Sequence, residues 1–161
     1  MKLTNKDTAE YLHRCYTAVD GLWFVKAEEK YGFNASLDLD EEVWKVIPKI
    51  QARFLKHKLG KNSGLMSLIE CFSVKLNLDG FKFKIEKTSR NVVKIIISSC
   101  PWHNIMVKSN RAEFSEKIGS RICNAEYGVW AKEFGNNISF KLEDKICGGS
   151  RFCTLTFRSG K

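Results

Sequence analysis

Cys123, Cys147 and Cys153 stand in the last third of the sequence, and Asp144 lies three positions before the middle one. Three thiols and a carboxylate form a complete donor set for a tetrahedral ion. Thiolates joined by one carboxylate suit Zn2+ better than Mg2+ or Ca2+, which prefer shells made only of oxygen. Five residues separate Cys147 from Cys153, and two of them are glycine, so the loop is wide enough for both sulfurs to turn toward one ion. The tight two-residue spacing of zinc ribbons is absent.

Cys100-Pro-Trp-His103 is a second candidate, because a Cys and a His three positions apart can chelate an ion or pair as nucleophile and base. Joined to Cys123, Cys147 and Cys153, Cys100 would complete a set of four thiolates able to hold zinc or, as a lesser alternative, iron or an iron–sulfur cluster. Cys15 and Cys71, alone on their helices, read as small core hydrophobes. Among the aromatic residues, Trp102, Tyr127 and Trp130 sit beside the proposed metal region and are candidates for the wall of a ligand pocket, with Cys100 and His103 flanking Trp102. No phosphate-binding glycine loop, nucleotide fingerprint or Ser/His/Asp arrangement is present.

Two kinds of periodicity divide the elements that must position these groups. From Thr4 to Tyr31, Leu12, Cys15, Tyr16, Val19, Leu22 and Trp23 recur at helical spacing before Gly32. Large side chains around Leu22-Trp23-Phe24 point in several directions, which predicts a helix central to the core or shared with a second subunit. A second helix is expected to start at the acidic cluster Asp38 to Glu42 and to end at Lys56-His57-Lys58, with a kink or break near Val46 caused by Pro48. A third is expected after Asn62-Ser63-Gly64, running to about Leu76.

After Gly80 the period becomes two, with Phe81, Phe83 and Ile85 alternating with charged residues as in a half-buried strand. The β-branched run from Val92 to Ile97 completes a hairpin. A helix from about Arg111 to Phe134 follows, and a second hairpin spans Ile138 to Phe157. The expected architecture is a single α+β domain over residues 1–161. A helical N-terminal layer, 1–79, packs on an antiparallel sheet of two hairpins in 80–161, with a crossing helix between the hairpins.

The formal charge is +9, but the lysines are spread over every segment, so charge does not single out nucleic acid as a partner. The N-terminal residues lack the apolar run of a secretory signal, and no stretch reaches membrane-spanning length, which predicts a cytoplasmic protein that does not bind membrane. In that compartment six cysteines are expected to be free or metal-bound.

The pattern of Cys123, Gly128, Asp144, Cys147, Gly149 and Cys153 resembles that of the 4-vinyl reductase domain, which is related to the phenol-sensing domains of bacterial activators. The likeness covers roughly residues 80–158. In the sensor relatives the corresponding Cys, Glu, Cys and Cys hold a structural zinc, which implies Cys123, Asp144, Cys147 and Cys153 as ligands here. This chain has the shorter Asp where those relatives have Glu, and Glu143 and Glu126 are alternative carboxylates. The relatives also imply that Trp102 lines an effector pocket, and that the protein dimerises. The helical N-terminal half resembles the extension found in uncharacterised microbial proteins near the aminothiazoline-carboxylate hydrolases.

These features together lead us to expect a zinc-stabilised, sensor-like domain that binds a small hydrophobic or aromatic molecule. One alternative is a reductase-like or hydrolase-like enzyme that uses an open zinc position or the Cys100/His103 pair. The other is a homodimeric assembly protein, joined through the apolar face of the first helix.

Overall fold

The computed structural model describes residues 2–160. Helix α1 (Asn5–Tyr31) is opened by Thr4, whose hydroxyl accepts from the Asp7 N–H while the Asp7 carboxylate accepts from the Thr4 N–H. Gly32, at φ 82°, closes it. Helix α2 (Phe33–Trp44) follows at once, so the acidic cluster from Asp38 lies inside a helix and does not start one. Pro48 falls at the beginning of α3 (Ile47–Lys58), where its missing N–H removes no helical bond, and the expected interruption near Val46 is a full break. Helix α4 (Leu65–Leu78) starts after Gly64.

The strands β1 (Lys82–Ser89) and β2 (Val92–Ser99) form the first hairpin. Helices α5 (Pro101–Lys108) and α6 (Ser115–Phe134) come next, then β3 (Ile138–Leu142) and β4 (Cys153–Ser159). All neighbouring strands are antiparallel, in the order β1-β2-β4-β3, so β2 and β4 join the two hairpins. The protein is α+β, with helices packed on a four-stranded antiparallel sheet. The short α5 was not expected: Cys100-Pro101 caps and starts a helix in a segment that lacks a long apolar period.

The chain divides into two compact units, one reaching to Glu42 and one from Val43 onward. The helical part expected over residues 1–79 extends into both units, since α3 and α4 lie in the second with the sheet. In the first unit Phe24 packs edge-on against Phe33, with ring centroids 5.8 Å apart. Much of α1 is apolar and exposed: Leu12, Val19, Leu22 and Trp23 each keep more than half of their surface open.

In the second unit Val93, Ile95 and Ile97 of β2 and Leu155 and Phe157 of β4 point to one face. Ala52, Leu68, Phe72, Leu76, Trp130 and Phe134 from α3, α4 and α6 cover it. Phe72 is central, with Tyr127, Trp130 and Phe157 edge-on around it at 5.2–5.6 Å. Strand β1 is less buried than its alternation suggests: it is an edge strand, Ile85 is 45% exposed, and the register shifts near both ends. Among the described residues, no helix is long and apolar enough to cross a membrane.

Candidate metal centre

Four cysteines from four different elements collect at one end of the sheet. Cys153 opens β4 directly opposite Ile97 of β2, and Cys100 lies three residues beyond Ile97, just off the end of its strand. On α6, Gly119, Cys123 and Tyr127 follow one another at four-residue spacing, with Glu126 and Trp130 three and seven residues after Cys123, and so share a face. Cys147 occupies a short 3-10 turn, Ile146–Gly148, closed by Gly149 at φ 89°.

That turn is seated on α6. A Cβ at Gly119 would stand 3.1 Å from Cys147 Sγ, so the bare helix backbone provides the space into which the sulfur fits. A Cβ at Gly148 would likewise stand 3.1 Å from the Glu116 carboxylate. Lys145 Nζ donates to Ser120 Oγ at 2.6 Å and lies 3.6 Å from Glu116, which ties the turn to the helix from its other side. Within the turn the Ile146 N–H donates to Cys153 Sγ at 3.2 Å.

All six cysteines are free thiols. Burial pushes the Cys100 thiol up to about 11; the Trp102 and His103 N–H groups at the start of α5 oppose this, and Cys153 and Cys147 add to it. Burial also holds Cys123 well above the ordinary thiol value, with Glu126 and Cys100 adding and the Tyr127 hydroxyl opposing. Cys147 and Cys153 are raised by burial as well, and Lys145 pulls both back down. Cys147 thus acts on each of the other three sulfurs, and burial disfavours the thiolate form of all four.

The carboxylates expected near the thiols have other partners. Asp144 Oδ2 accepts from Thr154 Oγ1 at 3.1 Å. Glu143 accepts from Lys141 Nζ at 3.1 Å and from Thr156 Oγ1 at 3.0 Å. Glu126 faces inward and forms an ion pair with Lys75. Lys75, 2% exposed, also lies 3.1 Å from Asp79 Oδ2, and its Nζ stands 5.3–5.7 Å from the ring centres of Phe81, Phe72 and Tyr127. The two carboxylates outweigh desolvation and hold the lysine above its ordinary value.

This buried ionic group was missed in the sequence, although a signal exists. Leu68, Phe72, Lys75 and Asp79 are spaced four, three and four apart, which places a lysine on the apolar face of α4.

The pocket candidates separate. Tyr127 and Trp130, 3% and 0% exposed, belong to the aromatic core, because a helix that turns Cys123 inward turns the positions four and seven residues later inward too. Trp102 is half-buried and packs edge-on against Trp44 at 5.8 Å. His103 Nδ1 lies 2.7 Å from Ser115 Oγ. An open groove of about 580 Å³ lies on the opposite, polar face of the sheet, lined by Lys94, Ser139, Lys141, Glu143, Thr156 and Arg158 among others.

A family of unknown function, DUF6125, matches residues 6–147. The chain belongs to this family. The DUF6125 match takes in Cys100, Cys123, Asp144 and Cys147, and it covers most of both compact units. No curated protein matches the chain. In this DUF6125 chain the sulfurs are neighbours by element, but among the described residues no three His, Cys, Asp or Glu side chains are grouped so as to hold an ion as they stand.

Proposed function

We propose that the protein is a cytoplasmic, zinc-stabilised binding domain for a small hydrophobic or aromatic molecule. Cys123, Cys147 and Cys153 would supply three of the zinc ligands, and the bound ion would cross-link α6 to the β3–β4 connection. The observation that carries this reading is the seat of Cys147 Sγ over the side-chain-free Gly119, one helical turn before Cys123. The thiol donor set also fits zinc chemically, and ligand binding is folding free energy at such a site. Six free thiols accord with a reducing compartment. Trp102, with Cys100 and His103 beside it, is the best-placed aromatic group for a ligand, because Tyr127 and Trp130 are committed to the core.

The test is metal analysis of protein purified without chelators, combined with native mass spectrometry. About one zinc per chain and a co-purified small molecule are expected. Less than half an equivalent of zinc or iron overturns the metal centre, and three protein ligands plus water at a bound zinc would point to an enzyme instead. The exposed apolar residues of α1 favour a homodimer, and the same spectra read the oligomeric state.

Gly119→Ala provides a second test. The new methyl group displaces the Cys147 sulfur, so zinc affinity is expected to fall at least tenfold, on the scale of roughly 10–100-fold seen when a group that orients a ligand is lost. The metal-free chain should change by less than about 1 kcal/mol, because Ala gains roughly that much over Gly inside a helix and offsets the contact. Unchanged zinc affinity would detach Gly119 from the metal centre.

A further inference from the structure

We infer that the fourth zinc ligand is Cys100 and not Asp144, so that the centre is made of four thiolates drawn from β2's end, α6, the 3-10 turn and β4. This rests on the proposed zinc site and assigns its remaining corner. Each carboxylate near the trio already has a partner: Asp144 has Thr154, Glu143 has Lys141 and Thr156, and Glu126 has Lys75. The pairing of Ile97 with Cys153 brings Cys100 to the end of the sheet where the other three sulfurs collect. Cys100, Cys123 and Cys153 are partly buried and pack against the same hydrophobic core.

Cys100 is also held in a defined position. It caps α5 with an extended backbone, φ −110° and ψ 114°, and Pro101 fixes the first helical residue after it. The Trp102 and His103 N–H groups at the start of α5 face that sulfur and offset part of the burial that disfavours its thiolate. Lys145, whose charge acts on Cys147 and Cys153, offers a cation to balance the excess negative charge of a four-thiolate zinc. Zinc binding releases the four thiol protons to solvent and draws the sulfurs to one point. No oxidant or reductant is required.

X-ray absorption at the zinc edge of the full-length protein, loaded with Zn2+, tests this without any substitution. Four sulfur neighbours at about 2.3 Å are expected, and three sulfurs with one oxygen at about 2.0–2.2 Å overturn the assignment. Titration of Zn2+ into Cys100→Ser and Asp144→Asn supplies the second measurement. Cys100→Ser is expected to bind more than tenfold more weakly, beyond the roughly 10–100-fold range's lower limit for losing a mere supporting group, while Asp144→Asn stays within about twofold of wild type. The reverse order makes Asp144 the ligand and overturns the inference while leaving the zinc centre intact. A wild-type chain that binds no Zn2+ removes the zinc centre itself, and Cys100's role with it. Iron with inorganic sulfide at the four cysteines would replace zinc by a cluster and overturn the assignment as well.

Discussion

Lys75→Met is expected to destabilise the protein by about 3–5 kcal/mol, because it leaves Asp79 and Glu126 buried with no cation between them. For a chain of this length each kcal/mol moves the melting temperature by about 2–4 °C, so the loss should exceed about 6 °C. The triple substitution Lys75→Met with Asp79→Asn and Glu126→Gln removes the charge imbalance and should recover much of that loss, since a buried ionic set replaced as a whole costs far less than one that is broken. The pH dependence has a defined sign. Lys75 is raised above its ordinary value of 10.5, so its contribution is complete below that pH and declines as pH rises toward the folded value. The stability gap between wild type and Lys75→Met should therefore narrow above about pH 10.5. A loss below about 1 kcal/mol in urea unfolding would show that the ion group contributes little beyond a surface pair.

Zinc should raise the melting temperature of the metal-free protein steeply. At a free concentration of about 1,000 times Kd, binding adds about 4.1 kcal/mol, which corresponds to roughly 8–16 °C for a domain of this size. Cys147→Ser should abolish most of this gain yet change the metal-free melting temperature little, since Cys147 is only partly buried in a surface turn. Calorimetry with and without Zn2+ reads both effects. Equal gains in wild type and Cys147→Ser would reduce this thiol to a packing role.

Legibility in the sequence followed the reach of the signals. The two hairpins were readable because Phe81/Phe83/Ile85 and the Phe140/Leu142 and Leu155/Phe157 arms alternate at period two and Val92 to Ile97 is a β-branched run, and the helices because glycines mark their ends: Gly32 and Gly135 as stops and Gly64 before a start. The start of α2 was not, since negative charge at Asp38 to Glu42 favours a helix N-terminus but equally sits on an exposed helix face. At the candidate site, spacing singled out Cys123, Cys147 and Cys153, but the status of Asp144 depended on Thr154, ten residues away and in another element. No local pattern encodes that hydrogen bond. Lys75 was hidden for a similar reason: alone it resembles the other lysines, and only its helical phase relative to Leu68 and Phe72 sets it apart.

The poorly covered strand β1 bears on how copies of this protein can meet. It presents Lys82, Lys84 and Lys87 along an outer rim of the sheet, and irregular pairing at both of its ends interrupts the regular ladder. Like charges and bulges at a rim oppose docking of a further strand, and that blocks the ribbon-like growth by which open sheets polymerise. The opposite rim, β3, is only five residues long. Self-association is thereby steered away from backbone-to-backbone extension and toward side-chain contacts on helices, where it can close at a small, finite number of chains.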